Sequence, residues 1–149
     1  MLKVQRILVP VDFSKESDLA LDWALVIAQK NVGATIYLLH VLPPKASGMG
    51  SMGYRMEKDE IEKKLAALQN QIPKSLHSSI VKESGKVPQV VSKFCEEKDI
   101  DLVIMTTRGR RGMKHFLTDS ITEESIRLAP CPVLVLHLNS KNKPAPLEP

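Results

Sequence analysis

Two cysteines, three phenylalanines, two tyrosines and a single tryptophan are all that 149 residues hold of these types, and each shortage excludes a class of protein. Cys95 and Cys131 stand 36 positions apart, which matches neither a CxxC redox pair nor a zinc-ligand spacing, so both read as reduced packing residues. An aromatic content of 4% supplies few rings for stacking on bases, and a net charge of +4 from 21 basic and 17 acidic side chains gives no broad basic face. Nucleic acid is therefore not an expected partner. No apolar run approaches the ~18 to 20 residues that span a bilayer. Met1 to Arg6 leads directly into a strand pattern instead of a signal-peptide core, so the expectation is a cytoplasmic protein without a membrane partner. GxxxxGK[ST], GxSxG and HExxH are all missing, which excludes the P-loop, the hydrolase nucleophile elbow and the zincin helix.

What is present is a regular alternation of two periodicities. Arg6 to Val11, Thr35 to Val41, Leu102 to Met105 and Val133 to Leu138 are short, nearly continuous apolar runs, as expected for strands covered on both faces. Ser78 to Lys82 is less apolar and reads as an edge strand. Between these runs apolar residues recur at helical spacing: Leu19, Trp23, Val26 and Ile27 after a capping Ser14, and Ile61, Leu65, Leu68 and Ile72 before Pro73. Val87, Val91, Phe94 and Cys95 follow with Pro88 in the first turn, and a last helix is expected over Ile121 to Leu128. Gly33 and Gly85 mark turns. Lys45 to Met56, with its glycines and methionines, reads as a loop able to act as a lid.

Five strands alternating with four helices imply an α/β fold: one doubly wound, Rossmann-like sheet of five parallel strands with helices on both faces. The domain is expected over residues 1–138, followed by a flexible proline-containing tail at 139–149. In such sheets ligands bind beyond the carboxyl ends of the strands where strand order reverses, which directs attention to the loops after the first, second and fourth strands.

Three stretches fall there. In Val9 to Ser14 (VPVDFS), Pro10, Val11 and Asp12 end the first strand, and the Asp12 carboxylate suits a ribose hydroxyl or Mg²⁺ beside phosphates, or else a helix cap. His40 and Val41 end the second strand, where a backbone N–H and C=O can read an adenine edge, while His40 itself reads as a packed structural histidine. In Thr106 to Ser120, Gly109 and Gly112 let backbone N–H groups turn toward an anion. Arg108, Arg110, Arg111, Lys114 and His115 add positive charge there, and a helix N-terminus follows.

Taken together, VPVDFS, LLHV and DLVIMTTRGRRG running into DSITEESIRLAPCPVLVL resemble the universal stress protein family, over nearly all of Val4 to Leu138. The resemblance implies a G-x2-G-x9-G-[ST] phosphate motif, which here falls on Thr106, Gly109, Asp119 and Ser120, with the adenine near the first two strands. Two of the three glycines are replaced. Asp119 puts a carboxylate where phosphate oxygens would lie, and Ser120 with Glu123 fits a capping box. The expected function is a stress-response module that binds ATP, ADP or AMP, with Mg²⁺ carried by the phosphates. A nucleotide-free dimeric interaction protein of the non-ATP-binding branch is the alternative, and a slow ATPase has least support. A homodimer through the last strand is also expected, because an apolar edge strand is ordinarily covered.

Overall fold

The computed structural model describes residues 3–42, 58–107 and 119–137. The lid-like loop, the basic stretch with Arg108, Gly109 and Gly112, Leu138 and the tail lie outside the described residues. The elements are β1 (Arg6–Pro10), α1 (Lys15–Lys30), β2 (Thr35–Leu42), α2 (Lys58–Asn70), β3 (His77–Ser84), α3 (Val87–Glu97), β4 (Leu102–Thr107), α4 (Asp119–Leu128) and β5 (Val133–His137). The strands form one sheet in the order β3-β2-β1-β4-β5, and all four pairings are parallel. The expected doubly wound architecture is thus present.

Side-chain alternation along the strands sorts the core onto two faces. Ile7, Val9, Ile36, Leu38 and Ile104 point toward α1 and α2, where they meet Leu21, Ala24, Leu25, Ile61 and Leu65. Leu8, Leu39, Val41, Val103 and Met105 point to the other face, against Val87, Val91, Phe94 and Cys95 of α3. Ile7, Leu8, Val103 and Ile104 are wholly buried, which is why β1 and β4 read as continuous apolar runs. Burying each such side chain contributes about 1.5–3 kcal/mol.

Local signals hold most of the elements in place. Ser14 caps α1 by accepting from the Ser17 N–H at 3.3 Å. Asp101, in the polar connector before β4, accepts from the Gln5 and Arg6 N–H groups at 2.8 and 2.9 Å and so fixes the start of β1. Gly33 and Gly85 take φ of +82° and +141°, which a side chain would resist. β3 lies at a sheet edge as its weak apolar content predicts, but it extends to eight residues. α2 stops at Asn70, and Ile72 packs into the core from the turn beyond. Among the described residues no helix is long and apolar enough to cross a membrane.

Candidate functional site

Strand order reverses between β1 and β4, and the ladder between them is short. β1 pairs with β2 over five positions, from Arg6↔Thr35 to Pro10↔Leu39, but with β4 over two, Ile7↔Leu102 and Leu8↔Val103. Proline supplies the reason. The Val11 N–H donates to Leu39 O at 2.8 Å, so Val11 faces β2 and, by alternation, Pro10 faces β4. The next ladder donor toward β4 would be the N–H of residue 10, which proline lacks. The β1–β4 ladder therefore stops at Leu8↔Val103, at the carboxyl-end switch point where doubly wound sheets hold ligands.

On one side of the switch point is the turn from β1 into α1. Asp12 is 2% exposed, and its Oδ1 accepts from the Ser14 N–H at 3.0 Å and from the Ser14 hydroxyl. The carboxylate thus sets the Ser14 cap in place, which the sequence offered as the alternative to a ligand role. Phe13 between them takes φ of +62°, a left-handed conformation that costs a bulky residue about 1–3 kcal/mol. That strain turns the Phe13 ring onto the imidazole of His40, with centroids 4.5 Å apart, and the Lys64 ammonium lies 5.6 Å from the same ring.

His40 is 1% exposed, and its Nδ1 lies 2.9 Å from the Val11 carbonyl oxygen. Because a carbonyl accepts, Nδ1 carries the proton. Burial lowers the imidazole pKa below 6.5. The Val11 carbonyl and the Asp12 carboxylate oppose that shift, and Lys64 adds to it. His40 is accordingly a neutral structural histidine, and its Nε2 has no hydrogen-bond partner among the described residues. Both backbone groups of Val11 are engaged, the N–H with Leu39 and the oxygen with His40. Of the two strand-end valines, Val41 is the better placed to read a base. β2–β3 pairing continues to Leu42↔Ser84, whereas β1 has already ended, and Val41 presents its backbone to the same side as Leu39.

Thr106 lies at the carboxyl end of β4. It is paired with Leu136 in extended β4 and is 1% exposed, so its hydroxyl is held inside the fold. α4 begins at Asp119, two residues before the expected start, and Ser120 therefore lies within the first turn. Arg108, Gly109 and Gly112, the remaining candidates of this loop, lie outside the described residues.

Charge is unevenly distributed around the switch point. Burial raises the Asp18 pKa, and Asp22, Asp12 and Glu16 raise it further, so the entrance of α1 is an acidic side. Among the described residues no group of three or more His, Cys, Asp or Glu side chains is arranged to hold a metal ion. The site residue that composition did not reveal is Pro10's role in ending the ladder, and its signal was the proline inside an otherwise uninterrupted strand run.

The fold is a doubly wound α/β domain with a strand-order switch between β1 and β4. The universal stress protein family model matches residues 3–137. The chain belongs to the universal stress protein family. A universal stress protein of Methanocaldococcus jannaschii is 30% identical over 141 residues, covering 89% of this chain and 81% of that protein. Among solved structures, a universal stress protein in complex with cAMP superposes with a TM-score of 0.69 at 17% identity, covering 93% of this chain and 100% of the other. The universal stress protein from Archaeoglobus fulgidus in complex with dAMP gives 0.64 at 20% identity, covering 91% and 98%.

Proposed function

We propose that this protein is a cytoplasmic stress-response module that binds an adenine nucleotide at the switch point between β1 and β4. The observation that carries the reading is the strand-order switch between β1 and β4, where the ladder stops after Leu8↔Val103 and Asp12, Val41 and Thr106 stand at the carboxyl ends of neighbouring strands. Relatives of the same fold have been seen with cAMP and with dAMP, which supports an adenine ligand. In this reading the Val41 backbone meets the adenine edge, and the second lone pair of the Val11 carbonyl is left for it. Asp12 faces the ribose. Gly109 and Ser120, with Arg108 and Gly112, hold the phosphates at the start of α4.

The donor set fits a mononucleotide better than a triphosphate. In this reading Asp119, at a glycine position of the motif, brings a carboxylate to the phosphate end. Two unit charges ~4 Å apart repel by about 1 kcal/mol in water and ~4 kcal/mol near a protein surface. AMP, with its single phosphate, avoids most of this. Mg²⁺ beside Asp12 would take its other ligands from phosphate and water, as Mg²⁺ ordinarily does. Its chemistry there is charge neutralisation of the phosphates.

The competing reading, a nucleotide-free interaction protein, is favoured by the same Asp119 and by buried Thr106 at the glycine positions of the motif. Equilibrium dialysis of stripped protein against AMP, ADP and ATP separates the two. Saturable uptake of one nucleotide per chain, AMP before ATP, is the expected result, and no saturable uptake at millimolar concentration would establish the nucleotide-free reading.

A further inference from the structure

Cys95 and Cys131, 36 residues apart in sequence, are brought together by the fold. Cys95 lies on the buried face of α3, and Cys131 lies in the turn between α4 and β5, packed against the same apolar cluster. Their sulfur atoms are 3.9 Å apart and both thiols are free. We propose that Cys95 and Cys131 form a peroxide-oxidisable dithiol that closes to an intramolecular disulfide, tying α3 to the turn that enters β5.

The two thiols are not equivalent. Cys95 is 2% exposed, whereas Cys131 is partly exposed, so an oxidant in solvent meets Cys131 first. Burial holds both thiols above their ordinary range, Cys95 up to about 12. For Cys131 the Cys95 S–H and the Val103 backbone favour the thiolate, and Asp101 opposes it. For Cys95 the neighbouring sulfur and Glu96 add to the effect of burial. Cys131 is thus the attacking sulfur and Cys95 the resolving one.

The chemistry balances with hydrogen peroxide as the oxidant. The Cys131 thiolate attacks one peroxide oxygen and the O–O bond breaks. The departing oxygen leaves as water, and Cys131 becomes a sulfenic acid. The Cys95 sulfur then attacks the Cys131 sulfur, the S–O bond breaks, and the hydroxyl leaves as water with the Cys95 proton. One peroxide is reduced to two waters, and the two sulfurs together lose two electrons. Closure requires the sulfurs to approach by roughly 2 Å, to a bond of about 2.05 Å. Cys131 lies outside helix and strand, in a turn held at its far end by the Val103 N–H on Pro132 O at 3.0 Å, so rotation of its side chain and a small shift of the turn supply the approach.

The test is peptide mass spectrometry of the full chain. Reduced protein is treated with hydrogen peroxide, quenched with catalase, unfolded and alkylated. The expected product is a Cys95 peptide joined to a Cys131 peptide of the same chain, two hydrogen atoms lighter than the reduced pair and separated again by dithiothreitol. Cys95→Ala should leave Cys131 as a sulfenic acid that dimedone captures. A wild-type product in which Cys131 has gone on to sulfinic acid while Cys95 is still fully alkylated would overturn the proposal, as would a cross-link between chains. Both readouts are independent of nucleotide binding.

Discussion

His40 Nδ1 and the Val11 carbonyl oxygen, 2.9 Å apart, join the ends of β1 and β2 through a side chain just where the β1–β2 ladder runs out. The bond requires the proton on Nδ1, and burial keeps the ring neutral. Unfolded, the same imidazole takes up a proton at a higher pH than it does in the fold. Its contribution to stability is therefore fully present above about pH 6.5 and is lost as pH falls through the lowered folded value. His40→Asn, which keeps an N–H near the Val11 carbonyl, should flatten that acid-side slope. Urea midpoints measured across the acid range for both proteins test this, and equal slopes would remove His40 as the source.

Asp12 carries two roles that substitution can separate. Asp12→Ala strips the Ser14 N–H and hydroxyl of their acceptor and should cost about 1–3 kcal/mol of stability. Asp12→Asn keeps an oxygen for Ser14 and should stay within about 1 kcal/mol of wild type. Because charge-assisted hydrogen bonds are about twice as strong as neutral ones, it should still weaken nucleotide binding roughly tenfold. Denaturant melts and calorimetric titration of the two variants read the two roles independently.

Asp119→Gly removes a carboxylate from the first position of α4. Loss of a favourable charge at a helix N-terminus should lower stability by about 0.3–1 kcal/mol. ATP affinity should rise about tenfold and AMP affinity less, since the relieved repulsion falls mainly on the outer phosphates. An unchanged ATP-to-AMP preference would show that Asp119 is not what discriminates between them.

β5 is a sheet edge that carries Val133, Leu134 and Val135, all partly exposed. An edge of this kind is normally covered, and pairing with a second copy covers it. Light scattering at micromolar concentration should give the dimer mass, and Val135→Pro should give the monomer with the fold retained, because an edge strand tolerates proline. A monomer mass for the unaltered protein would contradict the proposed dimer.

Strand and helix positions were legible because the central strands are buried on both faces and the helices on one, so burial wrote period and length directly into the apolar pattern. β3 was under-read because its exposed edge gives it a mixed composition, with Ser78, Ser79 and Lys82 among its residues. Asp12, Val41 and Thr106 could be placed at strand ends beside the switch point from topology alone, since strand ends are all the switch-point rule needs. What escaped the sequence was spatial. The engagement of Val11 by both Leu39 and His40 depends on register, and the meeting of Cys95 with Cys131 depends on the packing of α3 against the β5 turn.

The central claim is most directly tested by thermal unfolding of nucleotide-stripped protein titrated with ATP, ADP and AMP, with and without Mg²⁺. A ligand at about 100 times its dissociation constant adds ~2.7 kcal/mol, which for a domain of this size raises the midpoint by roughly 5 to 10 °C. The account predicts such a rise, largest with AMP at equal concentration and with Mg²⁺ helping ATP most. An unmoved midpoint with every nucleotide at millimolar concentration would contradict it and leave the switch point between β1 and β4 without an adenine ligand.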